Sequence, residues 1–209
     1  GMGSYSDVGG LLPFLSQEDY DEAVDIMKET LKAIAKETTP YKGILYGQFM
    51  LSNEGPKLIE YNARFGDPEA MNVLPLLKTP MIDICKDIVA GNLGEVEFED
   101  LASVCKYIVP DGYPDTPHAG ELIEVDEEAI EALGAKVLYA AVSEEEDGIH
   151  LSGSRALGIV AQGETIAEAE KIAEEACQLV KGNVYHRRDV GTKALIQKRI
   201  DHMETIRNE

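Results

Sequence analysis

The sequence predicts a mixed α/β chain, α+β in arrangement, made of two parts that meet near residues 92–100. Three observations lead there. Tyr20, Ala23, Val24, Met27, Leu31 and Ile34 recur at the spacing of one helix face. Two short apolar runs flank the turn-rich string SNEGP at 52–56, as in an antiparallel hairpin. Beyond residue 100, short strand-like runs separated by Asp-Gly turns give way to two helical stretches. With 209 residues, 44% of them hydrophobic, the chain can bury a sizeable core.

Each element has a local reason. The opening GMGSYSDVGG reads as a glycine-rich loop, and Gly1-Met2 as either a tag remnant or the cut end of a longer chain. Ser16, with Asp19 three residues on, caps the first helix in the manner of a capping box. Strands are expected at 43–51 and 57–62. Asp67 is expected to cap a helix with Pro68 in its first turn, which Pro75 interrupts. Thr79-Pro80 opens another helix and Gly91 closes it. The second part should carry strands near 102–109, 121–125, 136–143, 148–153 and 156–162, with a short helix over 126–133. Ile166, Ala169, Ile172, Ala173, Ala176, Leu179 and Val180 mark one face of a helix following Thr165. After YHRRDVG a last helix runs through Leu195 and Ile196. The corresponding domains are 1–95 and 96–209.

Composition excludes several function classes. A formal net charge of −20 repels a phosphate backbone or an anionic membrane, and the one dense basic cluster, His186-Arg187-Arg188, is short. No apolar run approaches the ~20 residues of a membrane span. Nothing at the start reads as a signal peptide. Cys85, Cys105 and Cys177 are scattered, without a C-x-x-C pair, which suits small core residues in a reducing, cytoplasmic compartment. His118, His150, His186 and His202 are equally dispersed and read as structural or surface residues.

The chemistry concentrates in the hairpin and just after it. Side chains alternate along a strand, so Tyr46, Gln48 and Met50 share one face, as do Leu58, Glu60 and Asn62. If the hairpin is centred on Glu54, Met50 faces Leu58, Gln48 faces Glu60 and Tyr46 faces Asn62. One carboxylate and two amide oxygens then lie together, the donor type that hard cations such as Mg²⁺ take, with phosphates completing the shell. Arg64 follows the strand, where a guanidinium can grip a carboxylate or phosphate. Spacing alone leaves two readings open: a solvated sheet face, or a metal and phosphate site.

The string LIEYNARFGDPEAMNVLPLL resembles the glycinamide ribonucleotide synthetase family of ATP-grasp ligases. Further stretches resemble it in the same order: GMGSYSD, PYKGILYGQFML, GSRALGIVAQGETIAEA and YHRRDVGTKAL. The resemblance spans almost the whole chain. It implies the latter part of an ATP-grasp core with an antiparallel sheet, followed by a small mixed sheet and helix C-terminal domain.

The resemblance also implies a site. Glu60 and Asn62 would be Mg²⁺ or Mn²⁺ ligands, and Gln48 falls where many relatives place a further ligand carboxylate. Arg64 would face the transferring phosphate or the reacting carboxylate. Gly3, Ser4 and Asp67 would lie near substrates. The implied reaction joins glycine to 5-phosphoribosylamine at the expense of ATP through an acyl phosphate, yielding glycinamide ribonucleotide, ADP and phosphate for purine biosynthesis. The implied family also has an N-terminal doubly wound domain and an ATP lid, expected to be missing before Gly1. Two other readings stand beside this one. One is a related ATP-grasp ligase acting on another carboxylate. The other is a non-catalytic or partner-dependent half of a split protein, marked by exposed apolar surface along the opening loop and first helix.

Overall fold

The computed structural model describes residues 1–208. Its elements run β1 (Gly3–Ser6), α1 (Gln17–Glu37), β2 (Tyr46–Ser52), β3 (Gly55–Asn62), α2 (Glu69–Val73), α3 (Met81–Ala90), β4 (Ala102–Pro110), β5 (Leu122–Val125), α4 (Glu127–Ala132), β6 (Ala135–Tyr139), β7 (Val142–Glu145), β8 (Gly148–Leu151), β9 (Leu157–Gly163), α5 (Ile166–Cys177), β10 (Val180–Lys181), β11 (Val184–Tyr185) and α6 (Lys193–Arg207). All strand pairs are antiparallel. The fold is mixed α/β, as predicted. Two compact units form. The first takes Gly1–Gly10, Asp67–Pro75 and Asp100–Leu195; the second takes Leu11–Gly66, Leu76–Glu99 and Ile196–Glu209.

In the first unit, β1-β4-β9-β6 form one sheet, with β11 also pairing to β4, and β10-β5-β8-β7 form a second. Every residue of β4 is buried, so this strand runs through the core. α5 lays Ile166, Ala169, Ala173, Ala176 and Cys177 into the interior, and Thr165 caps it by accepting from the Glu168 amide. Within β4, Lys106 is fully buried. Its ammonium donates to Glu170 at 2.7 Å, to Glu174 at 2.8 Å and to the Arg188 carbonyl at 2.9 Å. All three of its donors are thereby used, and the HRRDVG segment is fastened to α5. His186 Nε2 adds a contact to Glu174 at 3.0 Å.

In the second unit, Ser16 caps α1 by accepting from the Asp19 amide, and Arg207 pairs with Asp19 at 2.7 Å. Gly91 closes α3 in the left-handed conformation.

The structure corrects several expectations. The opening loop contains strand β1, paired with β4 from Gly3 opposite Lys106 to Ser6 opposite Ser103. The single strand expected at 136–143 is two strands in different sheets, β6 and β7. The break falls where Ala140 and Ala141 donate to the carbonyls of Ala156 and Arg155. Helix α5 stops before Leu179, and Val180 pairs with Val125 in β10. Asp67 does not cap α2: the N-cap position is Pro68, with no side-chain hydrogen bond, because both Asp67 oxygens are engaged elsewhere.

Cys85 is exposed, not a core residue, whereas Cys105 and Cys177 are buried. Burial pushes each of these two thiols up to about 12, leaving almost no thiolate at neutral pH. A thiol reagent at pH 8 is therefore expected to label Cys85 alone in the folded chain and all three cysteines after denaturation. Rapid labelling of more than one thiol in the native state would contradict the packing of β4 against α5.

Candidate functional site

The hairpin of β2 and β3 is built on α1. A Cβ at Gly47 would sit 2.5 Å from Met27 Sδ, so only glycine lets this strand approach the helix so closely. The Tyr61 and Thr30 hydroxyls hydrogen-bond across the same interface. The turn is the residue pair Asn53-Glu54, and Gly55 follows at φ 89, a conformation that disfavours any side chain.

From the tip inward, Ser52 faces Gly55, Leu51 faces Pro56, Met50 faces Lys57 and Phe49 faces Leu58. The register then shifts by one residue, and Gln48 faces Glu60, Gly47 faces Tyr61 and Tyr46 faces Asn62. This bulge, which leaves Ile59 as the extra residue, corrects the predicted Met50–Leu58 pairing. Leu58 lies on the Phe49 face and does not share the face of Glu60 and Asn62. The pairings at Gln48 and Tyr46 agree with expectation. Without the extra residue Gln48 would oppose Ile59, and Glu60 would turn towards α1.

The resulting patch is open. Gln48 and Glu60 are exposed and Asn62 is half-buried. Asn62 Nδ2 donates to Glu60 Oε1 at 2.9 Å, so the amide and carboxylate meet on one face. Gln48, Glu60 and Asn62 offer only oxygen and amide groups, a set that fits a hard divalent cation and not a thiophilic one. Arg64 is exposed, and its Nη1 donates to the Phe65 carbonyl at 2.6 Å; it makes no hydrogen bond to Glu60 or Asn62.

Gly3, Ser4 and Asp67 belong to the other unit and join two separate groups. Gly3 has φ 153, and a Cβ there would lie 2.5 Å from the Cys105 carbonyl oxygen. The Ser4 hydroxyl donates to Asn72 Oδ1. Asn72 Nδ2 donates in turn to Ser103 Oγ at 2.9 Å, and that hydroxyl donates to the Asn72 carbonyl at 3.1 Å. Asn72 and Ser103 are buried polar residues that reciprocate each other's hydrogen bonds.

Asp67 accepts from the Tyr107 hydroxyl at 2.8 Å and from Arg155 Nη2 at 2.6 Å. Arg155 also donates to the Gly1 carbonyl at 3.0 Å and stacks 4.6 Å from the Tyr107 ring centroid. Burial, together with the hydrogen bond to Asp67, raises the Tyr107 phenol well above its ordinary range, so it acts as a donor at neutral pH. Sequence reasoning missed Arg155, Tyr107 and Asn72. Each acts through a partner far along the chain, and only the GSRALG string signalled that Arg155 lay in an informative stretch.

The sequence model described as "Phosphoribosylglycinamide synthetase, ATP-grasp (A) domain" matches residues 1–70, and that described as "Phosphoribosylglycinamide synthetase, C domain" matches 103–193. A phosphoribosylamine–glycine ligase of Methanobrevibacter smithii is 76% identical over 208 residues, covering 100% of this chain and 48% of the relative. One from Methanothermobacter thermautotrophicus is 62% identical with the same coverage. The crystal structure of the Thermotoga maritima phosphoribosylamine–glycine ligase superposes with a TM-score of 0.76 at 30% identity, over 91% of this chain and 46% of that one. The chain spans about half the length of the curated relatives it matches.

Proposed function

Because the chain belongs to the phosphoribosylglycinamide synthetase family of ATP-grasp proteins, we propose that it supplies the metal-binding and C-terminal parts of an enzyme that joins glycine to 5-phosphoribosylamine with ATP. The product is glycinamide ribonucleotide, the reaction is a step of purine biosynthesis, and the compartment is the cytoplasm. Residues 1–95 form the ATP-grasp part and 96–209 the C-terminal domain in this reading, a division supported by the family matches at 1–70 and 103–193.

The observation that carries the proposal is the hairpin register: Gln48 stands opposite Glu60, with Asn62 hydrogen-bonded to Glu60 on the exposed face. Glu60 and Asn62 would hold Mg²⁺ or Mn²⁺, with Gln48 as a neutral third donor. When bound, such an ion neutralises phosphate charge. Arg64 would steady the transferring phosphate or the glycine carboxylate with its planar guanidinium. Gly3, Ser4 and Asp67 are assigned to substrate contacts. Asp67 reaches that task already oriented by Tyr107 and Arg155. The glycine carboxylate attacks the γ-phosphate to give an acyl phosphate and ADP, and the amine of phosphoribosylamine then displaces phosphate. The protein's contribution is positioning and charge.

A second observation favours a partner-dependent form of this activity. Among the described residues, the buried hydrophobic side chains of the hairpin-bearing unit are Leu76, Ile84 and Met203, whereas the other unit holds all the rest. Helix α1, 21 residues long, buries none of its residues. Ile82, Val89 and Leu93 are 62%, 73% and 52% exposed. A surface of this kind accepts further polypeptide, and the proposed occupant is the remaining half of the enzyme, the relatives being about twice as long as this chain.

ADP release is the test, with Mg²⁺, ATP, glycine and phosphoribosylamine, using the chain alone and together with the first half of the Methanobrevibacter smithii relative. Turnover only in the mixture is expected. Failure in both, with the added half folded and bound, would remove the catalytic reading.

A further inference from the structure

A second group of metal-ligating side chains lies outside the β2–β3 hairpin. β7 and β8 form a short hairpin in which Ser143 faces His150 and Glu145 faces Gly148. Alternation places Ser143, Glu145 and His150 on one face. Asp147, in the turn, reaches back until its Oδ1 lies 2.8 Å from His150 Nε2. One ligand atom from each of Glu145, Asp147 and His150 lies within 4.8 Å of the others.

The imidazole is held from outside this group. His150 Nδ1 lies 3.0 Å from the carbonyl of Gly120, in a separate segment, and the side chain is only 13% exposed. With Nδ1–H donating to that carbonyl, Nε2 is the nitrogen turned to the carboxylates. A backbone carbonyl on the far nitrogen is the usual partner that fixes the tautomer of a metal-bound histidine. His150 is paired with Asp147, and Glu145, whose Oε1 accepts from Ser143 Oγ at 3.4 Å, brings a second carboxylate to the same ring. Glu144, Glu146 and Glu127 line the adjoining groove, which has no lysine or arginine in its lining, so the negative potential there is not neutralised locally.

We propose that Glu145, Asp147 and His150 form a binding site for a borderline divalent cation of the Zn²⁺ type. Two carboxylate oxygens and one imidazole nitrogen make three protein ligands, with water completing a tetrahedron. The nitrogen separates this site from the all-oxygen set at Glu60, which suits Mg²⁺. The exposed carboxylates of Glu145 and Asp147 close the remaining distance by side-chain rotation, while the anchored ring stays in place.

Zn²⁺ titrated calorimetrically into the full chain, in a buffer free of phosphate and chelators, tests the site. One saturable site is expected. Glu145→Gln and His150→Ala should each weaken it at least about tenfold, the scale on which ligand environments control affinity, while Glu60→Gln should leave it unchanged. Glu145→Gln alters only an exposed group, so it keeps the test valid if His150→Ala perturbs the hairpin. Absence of saturable Zn²⁺ binding, or wild-type affinity in both variants, would overturn the proposal.

Discussion

Replacing Glu60 with alanine is expected to reduce Mg²⁺-dependent ADP release by on the order of a thousandfold in the chain mixed with the first half of the Methanobrevibacter smithii relative. Glu60 is the only carboxylate among the three proposed metal donors, so its removal withdraws the whole formal charge of the set. Gln48→Ala removes one neutral dipole and should cost about tenfold. The loss in the Glu60 variant should not reflect unfolding. The side chain is exposed and its hydrogen-bond partner is Asn62, so stability should stay within about 0.5 kcal/mol of wild type. Unchanged turnover, measured alongside thermal unfolding, would take the hairpin out of the mechanism.

The largest stability effect should come from Lys106→Ala. Removing a fully buried ammonium leaves Glu170, Glu174 and the Arg188 carbonyl without their shared donor. Breaking a buried pair from one side costs about 3–5 kcal/mol. The lower end applies here, because the Glu170 and Glu174 side chains keep 18% and 27% exposure. The melting temperature should fall by roughly 6–12 °C. A change within a few degrees would mean that the network contributes little.

The same pair of proteins gives a pH signature. Burial pushes the Glu174 carboxyl up, but hydrogen bonds from Lys106 and His186 outweigh it and hold the group below its ordinary 4.5. Its contribution is therefore full above that value and is lost as pH falls through the lower folded-state value. The stability gap between wild type and Lys106→Ala should narrow below about pH 4.5.

Locally encoded elements were legible in the sequence. Ser16, Thr165 and Gly91 act at the helix ends where their side chains or lack of one predict. What depends on distant partners was not legible. Strand β1 is four residues long, and nothing near it identifies β4 as its neighbour. Ala140 and Ala141 carry no breaker signal, yet the chain changes sheets there because Arg155 and Ala156 supply the acceptors. Asp67 has the pattern of a helix cap, and a tyrosine and an arginine far along the chain draw it away. At the hairpin the predicted pairings of Gln48 and Tyr46 hold through two compensating differences. The turn is centred one half-residue earlier than Glu54, and Ile59 adds one residue to the opposite strand. Arithmetic on alternation reached the right facing pairs without seeing the bulge that produces them.

The pairing of β1 with β4 also constrains how the chain is made. Gly3 must wait for Lys106, a strand that leaves the ribosome about a hundred residues, or about 5–20 s, later at ordinary synthesis rates. During that interval β1 lacks its β4 partner. Closing so long a loop is entropically slow, so β1 should be the last strand of its sheet to acquire amide-exchange protection, after β4, β9 and β6 have already formed their ladder.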